Sequence, residues 1–126
     1  MADRPLRISV VIGEESGDQL GAGLVDAIRR VRPDTLFSGL AGERMQARGL
    51  SSLFPISDVA VMGLGSVVRH LPRIFQRVHR TVAALLKERP DVLVIIDSPG
   101  FTHSVAKRVV RASPELPVIG YVSPSV

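Results

Sequence analysis

The period of the apolar positions changes several times along the chain. In LRISVVI (6–12) they run almost without a break, rich in β-branched residues and closed by Gly13, which predicts a buried strand followed by a turn. Beyond it, Leu20, Leu24, Ile28 and Val31 recur on one helical face, Ser16 and Gln19 stand at the spacing of a capping box, and Pro33 marks the end. TLFSGLAG (35–42) predicts a second short strand and the stretch 43–48 a short helix, whereas 50–68 follows no clear period. From Pro72 onward, Ile74, Phe75, Val78, Val82, Leu85 and Leu86 predict the clearest helix, with Pro72 in its first turn and Pro90 beyond its end. DVLVIID (91–97) predicts a third strand. Residues 101–112 predict a helix with Val105, Val109 and Ala112 inward, and LPVIGYVS (116–123) a fourth strand.

Strands that alternate with helices and are apolar on both faces argue for an α/β fold: an open parallel sheet with helices on both faces. No internal repeat, low-complexity tract or linker interrupts the pattern, so the chain reads as one domain or part of one. Its 126 residues, 45% hydrophobic and 22% charged, have an ordinary soluble balance and can bury a core. With no cysteine there is no disulfide framework and no Cys/His zinc spacing, which makes a reducing, cytoplasmic compartment the expectation. No apolar run approaches the ~18–20 residues of a membrane span, and the start of the chain breaks into charge and glycine too soon for a signal peptide.

Charge alters this picture in one place. Between positions 69 and 89, Arg69, Arg73, Arg77, Arg80, Lys87 and Arg89 face a single acid, Glu88, although the whole chain carries only +4. A concentrated positive face can attract phosphates or an anionic surface. For any one of these arginines a solvated outer helix face is the plainer reading; Arg73, Arg77 and Arg80 are the candidates for a collective effect. His70, His79 and His103 share no metal-ligand spacing and read as surface or helix-end residues.

Candidate chemistry gathers at the strand ends, where ligands of open parallel sheets bind. GEESGD follows the first strand, DSPG the third and SPS the fourth. Asp97 closes an apolar run and precedes a helix. It is either a site carboxylate or a cap for the free N–H groups of that helix. In GEESGDQLGAG, Gly13 and Gly17 can bring backbone N–H groups toward an anion at a helix N-terminus. The stretch has no Lys for a Walker loop, does not match G-x-G-x-x-G, and holds Glu14, Glu15 and Asp18. Those acids favour a site for hydroxyls or a cation, and the alternative is a capped helix with small residues packed on the sheet.

In order and spacing, GEESGDQLGAGL, GLAGERMQARGL, AVMG (60–63), PDVLVIIDSPGF and YVSPSV resemble the N-terminal third of the lipid-A-disaccharide synthase family, from Ile8 to Val126. The resemblance implies a Rossmann-like N-terminal half of a two-domain, GT-B type inverting glycosyltransferase that needs no metal or other cofactor. It implies the joining of UDP-2,3-diacylglucosamine to 2,3-diacylglucosamine 1-phosphate through a β-1,6 linkage, with release of UDP. On that basis 1–126 is the acceptor-side domain, with the UDP-sugar-binding domain absent and the chain inactive alone. Asp97 matches the family's proposed general base. Glu14, Ser16, Gly17 and Asp18 match its GE-x-SGD loop at the cleft, and Met62 and Gly63 its VMG segment beside the acyl chains. Ser123 and Ser125 match the start of a loop toward the second domain.

The implied partners are these two substrates and an anionic membrane surface at the cytoplasmic face of the inner membrane, with no nucleic acid and with self-association expected of an uncovered sheet. Gly100, Ser66 and Gly120 depart from the Asp, Glu and His usual in the family. The Gly100 and Ser66 departures also suit a non-catalytic module that keeps the half-fold to bind lipid or phosphate. An unrelated flavodoxin-like domain is disfavoured by only four Phe and one Tyr.

Overall fold

The computed structural model of the chain describes residues 5–13, 15–53, 71–96 and 99–121. Within them the elements run β1 (Arg7–Ile12), α1 (Glu15–Val31), β2 (Leu36–Leu40), α2 (Glu43–Gln46), α3 (Leu71–Glu88), β3 (Val92–Ile96), α4 (Pro99–Ala112) and β4 (Val118–Tyr121). The four strands form one parallel sheet in the order β2-β1-β3-β4. Right-handed crossovers put α1 on one face and α3 and α4 on the other. Consistent with this, α1 packs on β1 and β3, and α3 against α4. The expected α/β architecture is therefore present.

The two central strands supply the continuous apolar runs. Ile8, Val10, Val11 and Ile12 of β1 and Leu93, Val94, Ile95 and Ile96 of β3 are all buried. Each such side chain contributes about 1.5–3 kcal/mol relative to exposure in water. The outer strands are less covered: Leu36 of β2 is half exposed, and Ile119 and Gly120 of β4 are exposed. Ser9, wholly buried, meets Ser38 across the β1–β2 ladder with 2.9 Å between hydroxyl oxygens.

At the amino end of the sheet, Arg7 and Asp91 hold β1 and β3 in register. The Asp91 N–H donates to the Arg7 carbonyl at 2.7 Å, and the Arg7 N–H donates to the Asp91 carboxylate at 2.8 Å. The preceding helix ends where Arg89 takes a left-handed conformation (φ 52°) and donates its N–H to the Leu85 carbonyl, after which Pro90 forbids another turn. At the carboxyl end of β2, Gly39 has φ 128°, and a Cβ there would overlap the carbonyl of Val10. The residues after α2 come back along the outer edge of β2: Gly39 bridges Ser52, the Leu53 N–H donates to the Gly39 carbonyl at 3.1 Å, and the Ala41 N–H donates to Ser52 Oγ at 2.9 Å.

Several details depart from the sequence reading. The buried face of α1 is made by Gly17, Asp18, Gly21, Ala22 and Val25, with Leu20, Leu24 and Ile28 only partly buried along its margins. Val31 is 81% exposed because the last turn of α1 runs past the sheet. Ser16 lies inside the first turn of α1, which begins at Glu15. On α3, Val78 and Leu85 are buried as expected, but Phe75 is half exposed and Leu86 about a third, while Thr81 occupies the interior. The Thr81 hydroxyl is accommodated there by donating to the Arg77 carbonyl one turn back, at 2.8 Å. On α4, Val105 and Val109 point inward, whereas Ala112 at the helix end is exposed.

Candidate functional site

The strand order sets the place. From β1 the chain crosses to β2 on one side, and from β3 it crosses to β4 on the other, so adjacent strands β1 and β3 send their connections in opposite directions. A crevice opens at such a switch point outside the carboxyl ends of the strands, and it is the usual ligand site of an open α/β sheet. The last paired residues there are Ile12 and Ile96. In the sequence, GEESGD and DSPG directly follow these two positions.

Two helices begin at the same crevice. α1 starts at Glu15 and runs for 17 residues, and α4 starts at Pro99 and runs for 14. Following β1 and β3 directly, they turn the positive ends of two macrodipoles toward the carboxyl edge of the sheet. An anionic group or a developing negative charge is favoured there over a cation. Phe101 and Thr102, in the first turn of α4, are buried and root that turn in the core.

Of the expected site residues, Ser16, Gly17 and Asp18 are described. Ser16 is exposed at the start of α1 and Gly17 is buried. Asp18, expected to line the cleft, is only 5% exposed and turns toward α2. Its Oδ1 accepts the N–H groups of Gly42 at 3.1 Å and Met45 at 3.0 Å, and its Oδ2 accepts that of Arg44 at 2.7 Å. Asp18 thus satisfies the free donors of a helix whose own preceding residue, Gly42, has no side chain to cap it. Asp97, Glu14, Met62, Gly63, Ser123 and Ser125 lie outside the described residues, as does the Ser66 departure.

The same corner holds contacts with no local sequence signal. Gly21 faces Met45 so closely that a Cβ would collide with the Met45 sulfur, and a Cβ on Gly42 would lie 2.6 Å from Asp18 Cγ. Further along α1, Arg48 Nε donates to Asp26 Oδ1 at 2.9 Å and Arg29 Nη1 donates to the Arg48 carbonyl. The Arg48 guanidinium holds the Asp26 carboxyl below the ordinary carboxylate range. Arg29 also lies over the Phe37 ring, 5.1 Å from its centre.

Of the basic residues on α3, Arg77 is half-buried, and Arg80 is exposed and donates from Nη2 to the Leu53 carbonyl at 3.2 Å. The side chain of Arg73 lies outside the description. The exposed face of α3 therefore combines Arg80, His79 and Lys87 with Phe75 and Leu86. Among the described residues no helix is long and apolar enough to cross a membrane, and no three carboxylate or imidazole side chains converge as for a metal ion.

A family profile described as lipid-A-disaccharide synthetase matches residues 8–126. The chain is 48% identical over 126 residues to a lipid-A-disaccharide synthase of Nitrobacter hamburgensis, covering 99% of this chain and 32% of that protein. It is 46% identical over 125 residues to one of Rhodopseudomonas palustris strain CGA009, covering 98% of this chain and 32% of the relative. A similar enzyme of Pseudomonas aeruginosa strain LESB58 is 47% identical over 126 residues, with 100% of this chain and 32% of the relative covered. The chain spans about a third of the length of the curated relatives it matches.

Proposed function

Because the chain belongs to the lipid-A-disaccharide synthetase family, we propose that it forms the acceptor side of a glycosyltransferase making the β-1,6 disaccharide of lipid A. In this reaction the 6-hydroxyl oxygen of 2,3-diacylglucosamine 1-phosphate attacks the anomeric carbon of UDP-2,3-diacylglucosamine. The new C–O bond forms as the bond to the UDP phosphate breaks, the configuration inverts, and UDP leaves with the bonding pair. The hydroxyl proton goes to a carboxylate, assigned here to Asp97, which directly follows the last residue of β3. Removing that proton as the bond forms is general-base catalysis.

The observation that carries this reading is the pairing of Ile12 with Ile96, since it brings the starts of the GEESGD and DSPG segments to one crevice. Glu14, Ser16 and Gly17 are assigned to the side of the crevice facing Asp97. Met62 and Gly63 are assigned to the acceptor's acyl chains, and Ser123 and Ser125 to the connection toward a donor-binding domain of the kind that the longer relatives have room for. Two helix N-termini at the crevice suit a phosphorylated sugar. The exposed face of α3 is assigned to an anionic leaflet, at the cytoplasmic face of the inner membrane, where acylated substrates reside.

The test joins this chain to the remaining two thirds of the Nitrobacter hamburgensis relative. The joined protein is expected to form disaccharide from the two diacylglucosamine substrates, and the 126-residue chain alone to form none. Asp97→Asn in the joined protein is expected to lower kcat by about 10²–10⁴ with folding unchanged. Full activity of that variant would make Asp97 a helix cap and no base.

A further inference from the structure

Resting on the proposed function, the geometry points to Asp18 as a positioning residue. Its buried carboxylate sets the first turn of α1, and with it Ser16, over the crevice by clamping that turn to the corner between β2 and α2, without touching the sugar substrates.

The loop from β1 to α1 has two anchors. One is Ile12, paired with Ile96 of β3 one residue beyond the Val11–Leu40 pair that ends the β2 ladder. The other is the first turn of α1, and what fixes this turn laterally is Asp18. Three backbone donors converge on its carboxylate, two on Oδ1 and one on Oδ2, at 2.7 to 3.1 Å. A carboxylate at 5% exposure with three such donors has little capacity left for a ligand hydroxyl. Gly42 is shaped to admit it, since a Cβ there would press on Cγ at 2.6 Å. The corner that receives it is itself braced: Gln46 Nε2 donates to the Ala41 carbonyl at 3.2 Å, and Ser52 Oγ takes the Ala41 N–H. α1 is tied to the same corner again through Asp26 and Arg48. The helix turn bearing Ser16 is thus referenced to β2 and α2 as well as to its own strand. Misplacement of catalytic groups by about 1 Å costs on the order of a hundredfold in rate.

Three variants separate this role from its rivals. Asp18→Ala removes all three acceptor contacts, Asp18→Asn keeps an oxygen able to take two of them, and Gly42→Ala leaves the carboxylate intact but displaces it. In the joined protein, at a temperature where circular dichroism shows each variant folded, Asp18→Ala is expected to lower kcat about 10- to 100-fold while KM stays within about twofold. Gly42→Ala should shift kcat in the same direction, and Asp18→Asn should fall between wild type and Asp18→Ala. A raised KM with Gly42→Ala silent would overturn the proposal in favour of direct substrate contact. Unchanged kcat in folded protein, with only thermal stability reduced, would overturn it in favour of a plain cap.

Amide hydrogen exchange on the 126-residue chain gives an answer independent of activity. In Asp18→Ala the amides of Gly42, Arg44 and Met45 should lose about tenfold in protection. Those of Leu20 and Gly21, which close the first turn of α1 onto the Ser16 and Gly17 carbonyls, should loosen with them. Leu20 and Gly21 unchanged while the other three loosen would also overturn the proposal, even if the joined wild-type protein made no disaccharide and the functional assignment itself failed.

Discussion

The corner where α1 meets β2 and α2 and the layer formed by α3 and α4 bury comparable elements in opposite ways. In the corner, contact is made through small residues and backbone: Gly17, Gly21, Ala22, Ala41 and Gly42 are buried, and a carboxylate fills the gap. In the α3–α4 layer, bulky side chains do the packing, with Val78, Leu85, Phe101, Val105 and Val109 interleaved. Close backbone approach fixes distances to a fraction of an ångström but tolerates no added atom. Side-chain packing tolerates exchange of similar volumes. The corner adjoins the crevice to which the substrates are assigned above, where position would matter, and the layer carries an outer surface with charge and exposed apolar groups.

The contrast is sharpest at Gly39. Gly39→Ala combines a left-handed φ with a clash against the Val10 backbone, which cannot yield as a side chain could. Urea denaturation is expected to show a loss of about 4 kcal/mol, or no cooperative transition. A loss below about 1 kcal/mol would remove the distinction between corner and layer.

On the layer side, the effect to look for is in binding. Changing Arg73, Arg77 and Arg80 together to Gln should weaken partitioning onto anionic vesicles at low salt by about 2 kcal/mol, roughly 30-fold. This is less than the ~1 kcal/mol per basic residue of a freely presented set, because Arg77 is half-buried and Arg80 already serves the Leu53 carbonyl. Equal sedimentation of variant and wild type with vesicles, or binding indifferent to salt, would make these arginines a solvated face.

Gly21→Ala tests whether the corner can give way. The clashing atom is the end of a flexible Met45 side chain, so the expected cost is about 1–2 kcal/mol. In a background of Met45→Ala that cost should shrink by about 1 kcal/mol, a coupling read from a double-mutant cycle. The smallest effect belongs to the outer face of α3: Phe75→Ser and Leu86→Ser should each change stability by less than about 0.5 kcal/mol. Larger losses would show that the two side chains pack in solution.

Strands β1 and β3 were legible because each is a short, mostly β-branched apolar run, and parallel pairing follows from the helices between them. The inner face of α1 was not. Leu20, Leu24 and Ile28 dominate any hydrophobic periodicity, whereas Gly17, Gly21 and Ala22 contribute almost nothing to it, yet close approach needs small residues. Phe75 and Leu86 were read as inward because periodicity registers apolar character and is blind to how wide a stripe the partner layer can cover. At the site, GEESGD was recognisable as a motif. The role of Asp18 within it was not, because the amides that Asp18 serves lie 24 to 27 residues further along the chain and offer only backbone.

The hydroxyl pair of Ser9 and Ser38 has a consequence for how the chain finds its fold. β1 is apolar on both faces, so hydrophobicity alone penalises a slipped pairing with β2 only weakly. In the native register the two serines stand opposite one another and satisfy each other. A slip of one residue would part the wholly buried Ser9 hydroxyl from its Ser38 partner, at a cost on the order of 1–3 kcal/mol. The pair therefore gives the native alignment of β1 and β2 a polar preference that the surrounding aliphatic side chains cannot supply.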